Sequence, residues 1–216
     1  AYDPGYQVTF ALMLTSAIIT CTLTTRLKDH AKMSAQAAFR TKILFDTNQL
    51  LQRAKSEEEI FSLTASQLIK LLNRSLIVYP EQNGDLGSEQ FFGVDGETAQ
   101  NIFSAPEERD AANWTFANKK RSGAGTDSYP DAKGLYLALR TGGGVFGVVG
   151  IDLSEKPLDA FENSVLLSIL GEGALAIENR RNALEKEQAT VQAKNEELRA
   201  NLLRTISHDL RTPLTS

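Results

Sequence analysis

A long run without formal charge, Gln7 to Thr25, constrains this chain more than any other feature of its sequence. Most residues between Val8 and Leu23 are apolar. The twenty residues from Tyr6 to Thr25 would form a helix about 30 Å long, which matches the hydrocarbon thickness of a bilayer. Residues 1–25 are therefore predicted to form a transmembrane helix.

The charges that flank this run give the predicted helix an orientation. Basic residues follow it, at Arg26, Lys28, Lys32, Arg40 and Lys42. The positive-inside rule therefore places residues after about 25 in the cytoplasm. A signal peptide would show the opposite polarity, with its positive charge first. A buried helix of a soluble domain is a stronger alternative to the membrane helix than a signal peptide is, because the run is rich in Ser and Thr. Such hydroxyls also suit a helix that packs against other membrane helices.

Composition limits the functions open to the chain. Its net charge is −4 and it has no basic block interleaved with aromatic residues, so a nucleic-acid partner is not expected. The single cysteine, Cys21, excludes an internal disulfide and a multi-cysteine metal site. His30 and His208 are the only histidines, so no zinc site is expected either.

Residues 26–55 are predicted to form a helical linker that continues the membrane helix and contacts a second copy of the chain, because Ser34 to Leu51 has a broad apolar face. The segment Ser56-Glu57-Glu58-Glu59 is a capping box, which opens a helix from Glu57 to Asn73. The core positions predicted for this helix are Ile60, Phe61, Leu63, Leu68 and Leu71 or Leu72.

Residues 56–157 change from a helical to an extended pattern and predict an α+β domain. The predicted strands are Ser75–Tyr79, Glu89–Gly93, Leu135–Arg140 and Val145–Leu153. Turns are predicted at Gln82–Asp85 and Thr141–Gly144, with a loop at Ser122–Asp131. Pro106–Arg121 is predicted to be a helix whose inner side carries Ala111, Trp114 and Ala117, and a further long helix is predicted to begin near Leu158.

The long helix, residues 158–200, carries a seven-residue repeat typical of a two-stranded coiled coil. Its two series are Leu170, Ile177, Leu184, Val191 and Leu198, and Ala174, Arg181, Gln188, Asn195 and Leu202. The polar members predict a weak dimer seam. From Leu198 the apolar spacing becomes four, through Leu202, Ile206 and Leu210, and such a stutter changes the winding of the supercoil. This pattern favours a switch, with a plain dimerisation helix as the alternative.

A histidine follows on the side of this helix opposite its apolar face. His208 lies two positions from both Ile206 and Leu210, about 200° around the helix from each. A neutral imidazole is a competent nucleophile near neutral pH, and the adjacent Asp209 would hold one ring nitrogen as N–H. Thr212 shares a face with Asp209, so its hydroxyl would orient a water for attack on a phosphoryl group.

The run His-Asp-Leu-Arg-Thr-Pro-Leu, residues 208–214, resembles the H-box of bacterial sensor histidine kinases. The resemblance implies that residues 201–216 begin a phosphoacceptor dimerisation domain. It makes His208 the residue phosphorylated from ATP, Asp209 its acidic partner, and Asp209 with Thr212 the pair that promotes phosphate removal. It also implies three partners: a second copy of the chain, a response-regulator receiver domain, and an ATP-binding domain of the same protein that is absent here, so the chain alone is expected to be inactive.

Residues 56–157, with the helices on either side, resemble a GAF domain, an antiparallel sheet with helices on one face and a ligand pocket on the other. The resemblance narrows to KdpD-type sensor histidine kinases on Trp114, Gly125-Thr126-Asp127, Pro130, Leu135-Tyr136-Leu137, Gly147-Val148-Val149-Gly150, and the N-terminal Tyr6, Thr9-Phe10, Met13-Leu14 and Leu23-Thr24. Ala138 departs from the family pattern, which has Pro there. The family implies a location in the bacterial inner (cytoplasmic) membrane and control of potassium-transport gene expression.

The ligand of the GAF pocket stays open. Asp127, Asp131 and the backbone of the Gly123–Ser128 loop are candidates to line a polar pocket, although turn residues more often have structural roles. A ligand-free structural relay is therefore expected. The alternative function is a GAF-type small-ligand-binding module that regulates a partner without phosphotransfer.

Overall fold

A computed structural model describes the backbone of residues 4–93 and 96–211 and the side chains of residues 13–93 and 99–203. The chain divides into two units, residues 1–46 and 47–216, which are described separately. Helix α1 (Pro4–Leu51) runs without a break through the first unit. The predicted boundary between a membrane helix (1–25) and a linker helix (26–55) is therefore not marked by any interruption of the helix.

The described side chains in the first part of α1 have an apolar, exposed surface. Met13, Ile19 and Leu23 are each more than half exposed. The hydroxyls between them are satisfied within the helix, since Thr20 donates to the Ser16 carbonyl at 2.8 Å and Thr24 to the Thr20 carbonyl at 2.7 Å. Hydroxyls bonded in this way do not need water, so the Ser and Thr residues are compatible with an apolar environment.

Among the described residues, one helical stretch, Ala160–Leu203, is long and apolar enough to cross a membrane, with 39% of its most apolar window buried. Val165, Leu166 and Ile169 of this stretch are fully buried within the second unit, as in the core helix of a folded domain. This stretch is therefore not the predicted span. The predicted span includes residues 1–12, whose side chains lie outside the described residues, and it stays a prediction.

Strands of the second unit form one antiparallel sheet. In chain order they are β1 (Leu76–Gln82), β2 (Asp85–Leu86), β3 (Gln90–Phe92), β4 (Ser122–Gly123), β5 (Gly134–Arg140) and β6 (Val145–Asp152). The spatial order is β2-β1-β6-β5-β4, and β3 also pairs with β1. Both predicted hairpin turns are confirmed: Asn83 and Gly84 have positive φ between β1 and β2, and residues 141–144 join β5 to β6. The sequence did not predict β2 or β4, which have two residues each.

Helices α2 (Glu57–Leu72) and α5 (Ala160–Arg211) cover one face of the sheet. The predicted Ser56 cap is confirmed, because the Glu59 N–H donates to the Ser56 hydroxyl at 3.2 Å, while the Glu59 carboxylate accepts from the Lys55 N–H at 2.7 Å. Leu63 was wrongly assigned to the core and is only partly buried. Thr64 is buried instead, because α2 and α5 approach closely there.

Helices α3 (Gly96–Phe103) and α4 (Pro106–Asn118) lie on the opposite face, and α3 was not predicted. They pack on a core cluster of Ile77, Tyr79, Leu86, Phe103, Ala111, Ala112, Ala132, Tyr136 and Val148. Helix α4 ends at Asn118, not at Arg121, because Lys119 takes a left-handed conformation (φ 57°). Its inner side is Glu108, Ala111, Ala112 and Thr115, whereas the predicted Ala117 is exposed and Trp114 is only partly buried.

Candidate functional site

The first part of α5, residues 160–177, packs into the core of the second unit, and we call it the root of α5. The side chains that face the sheet and α2 are all at most 3% exposed: Val165, Leu166, Ile169, Leu170, Ala174 and Ile177. The prediction that Leu170, Ala174 and Ile177 line a seam between two chains is therefore wrong. The same heptad positions instead pack within their own domain, because an apolar stripe on a helix fits a sheet as well as it fits a second helix.

The last turn of α1 is attached to this root. Thr47 and Leu51 are buried, and the Asn48 side-chain amide donates to the Glu172 carboxylate of α5 at 2.9 Å. The continuous helix α1 therefore ends in direct contact with α5.

One turn beyond the buried root, Arg181 ties α5 to two other elements. Its Nε and Nη2 atoms donate to the Glu57 carboxylate of α2 at 2.9–3.2 Å, and Nη1 donates to Glu81 of β1 at 2.7 Å. The guanidinium also lies 5.3 Å from the centre of the Phe146 ring. We call these four residues the Arg181 junction. Arg181 was predicted to weaken a dimer seam; the structure corrects this, because it pairs within its own chain.

Charges in the Arg181 junction stabilise one another. Hydrogen bonds to Glu57 raise the pKa of Arg181 above its usual value, although burial opposes this and Glu81 adds to it. Burial would raise the pKa of Glu81, but hydrogen bonds from Arg181 and from the Gly84 N–H outweigh it and lower that pKa. Both partners are thus held in their charged forms around neutral pH.

Beyond the junction, α5 leaves the domain and exposes its apolar stripe. Leu184, Val191, Leu198 and Leu202 are 37%, 54%, 60% and 62% exposed. This is the part of the predicted seam that remains free to pair with another chain.

The predicted phosphoacceptor residues lie at the far end of α5. The helix runs to Arg211, so the backbones of His208 and Asp209 are helical. Their side chains, and the whole of Thr212, lie outside the described residues, so the outward orientation of the imidazole and the roles of all three residues stay predictions.

A buried carboxylate organises the other face of the sheet. Glu108 is 2% exposed, and it accepts hydrogen bonds from the Lys133 N–H (2.7 Å), the Gly134 N–H (3.1 Å) and the Tyr136 hydroxyl (2.7 Å). Burial and the bond to Glu108 raise the pKa of Tyr136 well above its usual range. Burial also raises the pKa of Tyr79 to about 12, although Arg109 opposes this. Both phenols therefore stay neutral, and the Tyr136 hydroxyl donates to Glu108. Sequence reasoning had found neither Glu108 nor this network.

A cleft of about 750 Å³ opens at the outer edge of β5. Its lining includes Trp114 and Asp127 together with the cationic residues Lys119, Lys120, Arg121 and Arg140. Asp127 was predicted to line a polar pocket and does so here, whereas Asp131, the other candidate, is exposed and is not part of this lining. In the described part of the chain, no three His, Cys, Asp or Glu side chains are close enough to hold a metal ion.

The chain is similar in sequence to curated KdpD sensor proteins. It is 34% identical to the sensor protein KdpD of Clostridium acetobutylicum over 214 residues, and 29% identical to that of Escherichia coli over 216 residues. Each similarity covers 99% of this chain but only 24% and 23% of the relative, so the chain spans about a quarter of the length of these relatives. No protein-family model matches the chain.

A solved structure shows the same fold as the second unit. The GAF domain of a Pseudomonas syringae pv. tomato protein, described as a sensor histidine kinase, superposes with a TM-score of 0.52 at 19% identity, over 74% of this chain and 97% of that one. The GAF domain of the potassium sensor histidine kinase KdpD from Escherichia coli gives a TM-score of 0.49 at 18% identity, over 68% of this chain and 98% of that one. The chain is therefore similar over nearly its whole length to one region of KdpD sensor proteins, and it has the GAF fold.

Proposed function

We propose that this chain is the sensory and relay region of a membrane-bound, homodimeric two-component sensor histidine kinase. In this proposal, a signal received by α1 or by the GAF domain alters the position of α5 and thereby the reactivity of His208. The phosphoryl group passes from ATP, held by another domain of the protein, to His208 and then to a response regulator. Because a solved relative is a potassium sensor, the regulated output is proposed to be the expression of potassium-transport genes.

The continuity of α5 is the observation that supports this proposal most strongly. A single helix contains the buried root, Arg181 and the position of His208. His208 lies about 40 Å beyond Arg181 at 1.5 Å per residue. A small rotation or shift of the root therefore moves the phosphoacceptor segment, because a helix transmits such a displacement along its axis.

The proposed chemistry follows from the imidazole. One neutral ring nitrogen attacks the γ-phosphorus of ATP, a P–N bond forms, and the bond to the ADP oxygen breaks. Asp209 accepts a hydrogen bond from the N–H of the other ring nitrogen and stabilises the positive charge that develops. A carboxylate of the receiver domain then attacks the phosphohistidine, which restores the neutral imidazole.

Labelling of a longer protein that includes the ATP-binding domain tests the assignment of the site. With γ-labelled ATP, we expect the parent to become labelled and His208→Gln to lose all label. His30→Gln is the matched control, since these are the two histidines of the 216 residues, and it should label like the parent. Label retained after His208→Gln would reject the site.

Phosphate removal gives a separate test of Thr212. Thr212→Ala is expected to keep normal autophosphorylation but to slow the loss of phosphate from the regulator, because the water would no longer be oriented. Equal dephosphorylation rates in the variant and the parent would contradict this role.

The second candidate function, a ligand-binding module that acts without phosphotransfer, is favoured by the cationic cleft beside β5. It would replace the first proposal if the parent protein, with its ATP-binding domain, took up no label.

A further inference from the structure

Four cationic side chains around the cleft at β5 have no described counter-ion. Lys119, Lys120, Arg121 and Arg140 are all exposed, and none makes an ion pair or side-chain hydrogen bond with a described residue. Within the lining, Asp127 is the one carboxylate. The chain as a whole is acidic, with a net charge of −4, whereas the lining of this cleft is positively charged. Four uncompensated cations in a concave site favour an anionic ligand.

The cleft also provides apolar surface beside the charges. Trp114, Leu137 and Leu167 line it, and Leu167 is 50% exposed although it lies on the root of α5. An indole and two leucines suit a planar ring, which stacks on aromatic faces. The volume of about 750 Å³ lies within the usual range for small-molecule sites.

Backbone groups at the edge of the sheet face the same cleft. The Ala124 N–H donates to the Gly134 carbonyl at 2.9 Å, so the polar groups of Gly134 point away from β6. By alternation along the strand, those of Ala138 point the same way. Strand β4 pairs only with Leu135 and Tyr136, so it does not cover Ala138. The Ala138 N–H is therefore available to a ligand in the cleft.

We propose that this cleft binds a nucleotide, with the base against Trp114 and the phosphate among Lys119, Lys120, Arg121 and Arg140. The Asp127 carboxylate would accept hydrogen bonds from an amino group of the base or from ribose hydroxyls. The site is outside the core cluster around Tyr136, and it includes Asn163 and Leu167 of α5. Occupancy would therefore bear directly on the root of the output helix. Binding does not depend on phosphotransfer at His208, so the two proposals can fail separately.

Tryptophan fluorescence tests binding directly, because Trp114 is the only tryptophan of the chain. The full 216-residue chain in zwitterionic detergent is titrated with AMP, GMP, ATP and GTP, and with adenosine and inorganic phosphate as partial ligands. We expect saturable quenching by at least one nucleotide, with affinity at least about tenfold above that of either partial ligand, since base and phosphate contacts are both needed. Absence of saturable quenching by all four nucleotides at millimolar concentrations would overturn the proposal.

A pair of matched variants tests the location. Lys120→Gln with Arg121→Gln is expected to weaken nucleotide binding at least about tenfold. Lys186→Gln with Lys194→Gln removes the same charge from an exposed part of α5 and should change affinity by less than about twofold. Equal effects of the two double variants would overturn the proposal. Quenching by phosphatidylglycerol micelles without quenching by nucleotides would also overturn it and would identify the cleft as a lipid-headgroup site.

Discussion

Replacing Arg181 by Ala is expected to loosen the attachment of α5 to the domain. The substitution removes two ion pairs, to Glu57 and Glu81, and the contact with the Phe146 ring. The side chains of Arg181 and Glu57 are 33% and 30% exposed, so each pair is discounted to about 0.5–1 kcal/mol, and the ring contact adds about 0.5 kcal/mol. We therefore expect a loss of about 2 kcal/mol in the free energy of unfolding, or about 4–8 °C in Tm.

Urea unfolding of the full chain, followed by the fluorescence of Trp114, measures this loss. Arg181→Lys should lose about half as much, because an ammonium keeps the charge but does not make the bidentate contact. Arg180→Ala is the matched control, since Arg180 has no ion pair with a described residue, and it should change stability by at most about 0.5 kcal/mol. The reasoning is refuted if Arg181→Ala and Arg180→Ala have the same stability.

The effect should also depend on pH. The pKa of Glu81 is lowered in the folded state from its ordinary value of 4.5, so its pairing stabilises the fold above that value. The contribution is lost as the pH falls through the folded pKa. The stability difference between the parent and Arg181→Ala should therefore be constant near neutral pH and shrink below about pH 4.5. A difference that grows in acid would contradict the assignment.

Two further substitutions test the packing of the GAF domain. Glu108→Gln places an amide N–H donor where the carboxylate accepts hydrogen bonds from two backbone N–H groups. It should lower the free energy of unfolding, measured by urea titration, by about 1–3 kcal/mol. The control Glu107→Gln, at an exposed position, should change this free energy by at most about 0.5 kcal/mol. Gly173→Ala would place a Cβ 2.7 Å from the Thr64 hydroxyl oxygen and should destabilise the domain by about 1–3 kcal/mol. At Gly171 an added Cβ meets no atom within 4 Å, so Gly171→Ala should stabilise the domain by up to about 1 kcal/mol because alanine favours the helix more than glycine does. An unchanged free energy of unfolding in Glu108→Gln, or equal changes in the two glycine variants, would contradict these contacts.

The sequence predicted correctly those features of the structure that depend on residues close together in the chain. The Ser56 cap and the Asn83-Gly84 turn were predictable because each depends on residues within one turn of chain. The GAF fold was likewise recognisable from the order of helices and hairpins. Strands of two residues, such as β2 and β4, are too short to leave a periodic pattern.

The predictions failed where a partner is distant in sequence. A heptad repeat does not say whether its apolar stripe packs on a second chain or on its own sheet, which is why Leu170 and Ile177 were misassigned. Arg181 finds Glu57 and Glu81 far away along the chain. Glu108 left one usable signal, since it shares a helical face with Ala111 and the buried Thr115, and a lone carboxylate on a face of small residues indicates a buried polar contact.

The claim that α5 carries the state of the domain to His208 is tested most directly by changing the phase of the helix. In a longer protein with its ATP-binding domain, two residues inserted after Thr190 rotate His208 by about 200° relative to the root, whereas seven rotate it by about 20°. We expect the rate of autophosphorylation to change at least fivefold with two residues, a coupling of about 1 kcal/mol, and to stay within about twofold of the parent with seven. Equal rates in the two insertion variants would contradict a relay through this helix.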